Sequence, residues 1–344
     1  MLGTTPRLLF CISSGRSGTN YLADLLGAAE EVLAFHEAEP TMTGKFLRMI
    51  NEAPYADSVN ERRIKVEAIR KIIDEMPEGK SVYCETNHMF IKTFFDVVVE
   101  NFDNVEVIVL RRDLSLVLAS FLQMCYFSEV NDVWPDWFSS PNAVTAAVKP
   151  IGPDAALDRC DRSIAYLMDI EARALRFQRD YPEVTIHNVR VEELNDYDNV
   201  LRFFQDLRIT PSPATKEIVG TVTNVRPNRK KRFNSPVDLE YCVERLSKYI
   251  EKAWSMGIQL PSSVALDHAV GWRRKASDQR EKVIEKQRKT ISEQCENIDK
   301  LQSKIGDQQT QISELQGELS GMKTIVGSSR WLIGHILRKL HLRK

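Results

Sequence analysis

The first 270 residues predict an α/β fold, a P-loop parallel sheet flanked by helices, and the chain behind them predicts a C-terminal coiled-coil helix. Three observations carry this expectation. The apolar run Leu8-Leu9-Phe10-Cys11-Ile12 ends in a glycine-bearing loop that enters a helix-like stretch. Strand-like and helix-like segments then alternate, the pattern that builds a parallel sheet with crossover helices. Near the C-terminus, isoleucine returns every seven residues, the period of a left-handed coiled coil.

In chain order, the helix after the first loop is expected to run through Leu26. A second helix pattern lies near Glu61 to Met76, with Ile64, Val66, Ile69, Ile72 and Ile73 on one side. Ser81–Glu85 reads as a strand, Phe90–Glu100 as a helix and Val105–Leu110 as a buried strand. A helix carrying Ser120 follows. Val184–Val189 is the next strand, and Tyr197–Leu207 the next helix. Between Cys125 and Pro153 periodicity lapses into Trp134-Pro135-Asp136-Trp137-Phe138 and neighbouring polar residues. A long irregular segment of this kind suits a functional loop, and its aromatic planes suit a sugar ring. Tryptophans that pin the loop to the core are the other reading.

The first loop, Ser13-Ser14-Gly15-Arg16-Ser17-Gly18-Thr19-Asn20-Tyr21, has the strand–loop–helix order that turns backbone N–H groups toward an anion. It lacks the lysine of G-x-x-x-x-G-K-[ST], so a phosphate is expected there without ATPase or GTPase chemistry. The order Arg16-Ser17-Gly18-Thr19 resembles the 5′-phosphosulfate loop of sulfotransferases that use 3′-phosphoadenylyl sulfate (PAPS). A second motif agrees. Arg112 ends the Val105 strand and Ser120 follows eight residues later, the spacing of that family's 3′-phosphate site. A third patch, Val189-Arg190-Val191-Glu192-Glu193-Leu194, is similar to its strand-and-turn, with Val191 where an aromatic is usual. A fourth, Asn228-Arg229-Lys230-Lys231-Arg232-Phe233, lies where a basic loop is expected but lacks the usual R-K-G.

The resemblance covers about residues 5 to 260 and implies roles. Arg16 would neutralise the leaving phosphate, and the N–H groups of Ser17, Gly18, Thr19 and Asn20 would cradle the 5′-phosphate. Tyr21 would stack on adenine. Arg112 and Ser120, with Arg229 and Lys230, would hold the 3′-phosphate. Two residues compete as general base. Glu37 lies 21 residues after Arg16, the offset of the glutamate in tyrosylprotein sulfotransferases. His88 falls where cytosolic members carry K-T-H. Glu37 is preferred and His36 is a third candidate. A glutamate base needs its pKa raised by burial.

The net charge is −1, so any anion site is local and nucleic acid is not an expected partner. Six scattered cysteines form no C-x-x-C pair and read as buried thiols of a reducing compartment. The six histidines show no zinc-ligand spacing, and no metal is implied. The five-residue apolar run near the N-terminus is too short for a leader or a membrane span.

In the C-terminal repeat, Ile284, Ile291, Ile298, Ile305, Ile312, Leu319 and Val326 occupy a positions, with Gln287, Gln294, Leu301, Gln308, Leu315 and Met322 at d. Self-association is expected, with dimer and trimer both open. Beyond Gly327-Ser328-Ser329, Leu332, Ile333, Ile336, Leu337 and Leu340 share a helical face, and Arg330, Arg338, Lys339, Arg343 and Lys344 add positive charge. That suits an anionic membrane surface or a partner. The expected domains are 1–270, the PAPS-binding α/β domain; 277–326, the coiled coil; and 328–344, a basic amphipathic helix. The expected activity is sulfuryl transfer from PAPS to a hydroxyl, first of a glycan or glycolipid, in the cytoplasm or peripherally at the inner membrane surface. Tyrosine or phenol sulfation, a non-catalytic scaffold and a P-loop kinase are the rivals.

Overall fold

The structure, a computed structural model, describes residues 6–129, 131, 133–221, 237–261 and 265–341. Five parallel strands form one sheet in the order β2-β3-β1-β4-β5. They are β1 (Arg7–Ile12), β2 (Val32–Phe35), β3 (Val82–Glu85), β4 (Val105–Arg111) and β5 (Thr185–Arg190). The sheet is buried on both faces, as a parallel sheet requires. Along β1, Leu8, Phe10 and Ile12 enter one core cluster while Leu9 and Cys11 enter the other.

Helix α1 (Thr19–Gly27) lies on the second face, together with α8 (Tyr197–Asp206). The first face is covered by α2 (Lys45–Glu52), α4 (Ile64–Asp74), α5 (Phe95–Val99), α6 (Leu114–Gln123), α7 (Arg159–Asp180) and α10 (Leu239–Ser255). Short helices α3 (Val59–Arg62) and α9 (Pro213–Ile218) complete this part. Strand β2 and helices α2, α7 and α10 were not among the expected elements.

The expected Glu61–Met76 helix is broken at Arg63, and Ile64 is 51% exposed, not buried. Its neighbour Lys65 is buried instead, because it pairs with Glu85 on β3. The expected Phe90–Glu100 helix opens with a π-turn over Phe90–Phe94. Across the irregular stretch, Phe127 and Phe138 are core residues and Trp134 packs against Phe127.

The chain divides into two compact units, Met1–Ala276 and Ser277–Lys344. Helix α11 (Ala265–His341) runs without a break through Gly327-Ser328-Ser329, where the sequence suggested a boundary. Its isoleucines at 291, 298, 305 and 312 are all exposed. Ile284, Arg343 and Lys344 lie outside the residues whose side chains are described. Among the described residues, no helix is long and apolar enough to cross a membrane.

Candidate active site

Ligands of open parallel sheets bind beyond the carboxyl ends of the strands, and the expected residues gather there. The loop after β1 curls through three left-handed residues, Gly15 (φ +77°), Arg16 (φ +56°) and Gly18 (φ +95°). At Gly18 a Cβ would stand 2.6 Å from Val191 Cγ2, so the small side chain at 191 and the glycine fit each other. The loop is tied by its hydroxyls. Ser13 Oγ accepts from the Gly15 N–H at 3.2 Å, and Ser14 and Ser17 hydroxyls share a 2.9 Å bond. Helix α1 starts with no side-chain cap. Among the described residues, none accepts from the N–H groups of Ser17, Gly18, Thr19 or Asn20. Four backbone donors at a helix N-terminus make an anion cradle.

The two expected phosphate motifs meet at this loop. Arg16 Nε donates to Ser120 Oγ at 3.1 Å, and Arg112 Nη1 donates to the Arg16 carbonyl at 3.0 Å. Asp113 is spent on capping α6, accepting from Ser115 N–H at 2.9 Å and from Ser115 Oγ at 2.6 Å. Glu192, from the turn after β5, accepts from the Asp113 N–H at 3.1 Å and so fixes the same corner. Two guanidinium groups and a hydroxyl thus stand beside the cradle, a donor set suited to phosphate oxygens. Tyr21 does not join them. Its ring is in the core, and its hydroxyl donates to the Leu194 carbonyl at 2.7 Å. Arg229 and Lys230 lie outside the described residues.

All three base candidates come together. His88 Nε2 is 3.5 Å from Glu37 Oε1, and His36 Nε2 is 3.7 Å from the same oxygen. Burial pushes the Glu37 carboxyl above the ordinary glutamate value, helped by Glu85 and opposed by His36 and Lys92. His88 is held well below the ordinary histidine value, first by burial, then by Lys92 and His36. The imidazole of His88 also faces Gly15, where a Cβ would sit 3.4 Å from Nδ1. The β1 loop and the base candidates therefore share a wall. Trp137 stacks on His88, with ring centroids 5.9 Å apart and planes at 18°.

Two lysines unmarked by the sequence hold this corner. Lys65 Nζ donates to the carbonyls of Ala38 (2.7 Å) and Pro40 (3.1 Å) and to Glu85 Oε1 (2.7 Å). That clamps the loop on which Glu37 takes its left-handed φ of +54°. Tyr83 and Asn87 complete Glu85's partners at 2.6 and 2.9 Å. Lys92 Nζ lies 2.8 Å from His88 Nδ1, one helical turn along the chain. A spacing of four between His88 and Lys92 is the only trace of this pair in the sequence. Among the described residues, no group of three His, Cys, Asp or Glu side chains is placed to hold a metal ion.

No protein-family model matches the sequence, and no curated protein matches it. Solved structures do. The sulfotransferase domain of the Synechococcus PCC 7002 olefin synthase is 13% identical with a TM-score of 0.42, over 79% of this chain and 97% of that one. A sulfotransferase from Alicyclobacillus acidocaldarius is 12% identical with a TM-score of 0.38, over 74% and 96%. Retinol dehydratase in complex with androsterone and the inactive cofactor PAP is 13% identical with a TM-score of 0.32, over 73% and 82%. The chemistry of the site is carried by its own residues.

Proposed function

We propose that the chain is a PAPS-dependent sulfotransferase acting on a hydroxyl of a glycan or glycolipid. One observation carries this reading: a lysine-free anion cradle flanked by Arg16, Arg112 and Ser120 backs, through the Gly15–His88 contact, onto the buried His88 and the half-buried Glu37 beside it. A kinase of the common phosphate-loop type would need a loop lysine and a metal-binding hydroxyl beside it; Gly18 is followed directly by Thr19.

Sulfuryl transfer needs in-line placement, neutralisation of the leaving group and a base at the acceptor hydroxyl. PAPS as substrate supplies a sulfuryl group on its 5′-phosphate; a bond from sulfur to the acceptor oxygen forms as the bond from sulfur to that phosphate breaks. The N–H groups of residues 17–20 hold the 5′-phosphate, and the Arg16 guanidinium offsets the charge left on it. Arg112 and Ser120 serve the 3′-phosphate. Glu37, its basicity raised by burial, takes the acceptor's proton. Trp137, half-buried against His88, offers a ring face to a sugar.

The exposed isoleucine row of α11 supports pairing with a second copy of the chain. The exposed Trp331, Leu332, Ile333, Ile336 and Leu337 with Arg330 and Arg338 support a site at an anionic lipid surface, and with it a peripheral, cytoplasmic setting. Calorimetric titration with adenosine 3′,5′-bisphosphate, against adenosine 5′-monophosphate and Mg-ATP, tests the donor assignment. Binding that requires the 3′-phosphate supports it. Preference for Mg-ATP, or no binding, sinks it.

A further inference from the structure

The hydrogen-bond partners of His36 and His88 decide which ring nitrogen of each carries its proton. His36 Nδ1 lies 3.0 Å from the Thr86 carbonyl, and a carbonyl only accepts. The Thr86 hydroxyl, 3.3 Å from the same nitrogen, gives its hydrogen to the Thr19 carbonyl at 2.8 Å; His36 is therefore protonated at Nδ1, and its neutral ring keeps a lone pair on Nε2, 3.7 Å from Glu37 Oε1.

His88 is held the other way. Lys92 Nζ has three partners: the Trp137 carbonyl at 2.8 Å, Tyr166 Oη at 3.1 Å and His88 Nδ1 at 2.8 Å. The Tyr166 hydroxyl gives its own hydrogen to the Ser14 carbonyl at 2.9 Å, so it accepts from Lys92. The Trp137 carbonyl also accepts. An ammonium has three hydrogens, and the third goes to His88 Nδ1. The proton of a neutral His88 is then on Nε2, the nitrogen 3.5 Å from Glu37 Oε1. A neutral amine that gave both hydrogens to Trp137 and Tyr166 would turn its lone pair to His88 and require the opposite tautomer. Other groups act on Lys92 as well. Burial and then Arg173 push the Lys92 pKa well below the ordinary lysine value, opposed by Glu37 and Asp169; the two fixed acceptors, the Trp137 carbonyl and Tyr166 Oη, and the faces of Phe138 and Tyr166, 5.6 and 5.4 Å from Nζ, are the local geometry that suits an ammonium. The π-turn at Phe90–Phe94 carries Lys92; such turns recur at functional sites.

We propose that Lys92 is a positioning residue that locks the proton of His88 on Nε2, the nitrogen beside Glu37, while the Thr86 carbonyl locks His36 as a proton acceptor on the other side. Within the sulfotransferase reading, on which this rests, His88 then cannot take the acceptor's proton at Nε2, because that nitrogen already carries one. The base is Glu37, and His36 is the group able to receive a proton from it. Tyr166 links the same lysine to Ser14 of the phosphate loop.

The test is long-range proton–nitrogen NMR on the full chain labelled with ¹⁵N-histidine, with signals assigned by loss in His36→Gln and His88→Gln. The expected result is an Nε2–H tautomer for His88 and an Nδ1–H tautomer for His36 at neutral pH, with the His88 preference lost in Lys92→Met. An Nδ1–H tautomer at His88 overturns the proposal, and the wild-type spectrum decides this even where Lys92→Met does not fold. Activity gives a second readout. Removing the Lys92 cation, which holds the Glu37 pKa down, should move the acid limb of the kcat/KM profile to higher pH; an unmoved limb counts against Lys92. The tautomers are read without any turnover. Opposite tautomers in a chain that fails to bind adenosine 3′,5′-bisphosphate sink the functional reading alone, and an Nδ1–H His88 in a chain that binds it sinks the lock alone.

Discussion

Lys65 and Ile298 stand for two regions in opposite condition. The Lys65 side chain is charged, 1% exposed, and every hydrogen of its ammonium has an acceptor. Ile298 is apolar and 52% exposed on a helix whose other described apolar seam residues are exposed too. Around the site, burial has been matched by partners: Glu85 takes Lys65, Tyr83 and Asn87, and Lys92 takes Trp137, Tyr166 and His88. On α11, apolar surface has no partner among the described residues. A site whose geometry must be held needs its polar groups satisfied within one chain. An apolar seam left in water is a surface that a second chain can complete.

The largest expected effect breaks the site while sparing its frame. Glu37→Gln keeps the shape of a half-buried side chain but removes the proposed base, and turnover should fall by about 10²–10⁴-fold. Affinity for adenosine 3′,5′-bisphosphate should stay as in the wild type. The sign of the pH dependence follows from the raised Glu37 pKa. A base must be ionised, so activity rises with pH through that pKa, and the acid limb lies above the ordinary glutamate value. Glu37→Gln should erase the limb. Full turnover in Glu37→Gln with loss in His88→Ala would reverse the assignment.

Lys65→Met sharpens the same side of the comparison. It leaves Glu85 charged, buried and short of its cation, which costs about 3–5 kcal/mol. Chemical denaturation should show that loss, and adding Glu85→Gln should recover part of it. Arg112→Ala comes next. Losing a charged donor to phosphate costs about 1.5–3 kcal/mol, or roughly 10–150-fold in affinity for adenosine 3′,5′-bisphosphate. Affinity for adenosine 5′-monophosphate should hardly change; equal losses for both ligands would move Arg112 away from the 3′-phosphate.

What the sequence let one read follows the range of the interaction. The β1 loop is legible because strand, glycines and helix start lie within some twenty residues. Arg112 and Ser120 are legible because they share a strand end and the next helix. Their meeting with Arg16, 104 positions away from Ser120, was implied by a resemblance and not by any period. The missed helix α7 buries Asp169, Glu171 and Arg173 among its apolar residues, which blurs the stripe that would have marked it. Strand β2 has only four residues, too few for an alternation to show. At 64 and 65 hydrophobicity points the wrong way: the isoleucine is exposed and the lysine buried, because Glu85 waits inside. No sequence rule gives the partners of Lys92, which come from the loop carrying Trp137 and from α7.

The smallest expected effect tests the other region. If a second copy covers the α11 seam, Ile305 packs in a layer of the coiled coil, and Ile305→Val removes one buried methylene per chain. That change costs about 0.5–1.5 kcal/mol in a packed core, or roughly 2–12-fold in the dissociation constant for each buried side chain. On an uncovered helix the same change is a surface substitution within about 0.5 kcal/mol of neutral. Gly306, Gly317 and Gly321 lie inside α11, and each costs a helix interior about 1 kcal/mol relative to alanine. A helix so weakened gains its order from packing more than from propensity. Dilution should therefore lower far-UV helicity together with the mass measured by sedimentation, and Ile305→Val should shift both transitions to higher protein concentration. Helicity that holds on dilution while the mass stays that of one chain would mean that α11 is stable in water, and the contrast with the site would lose its cause.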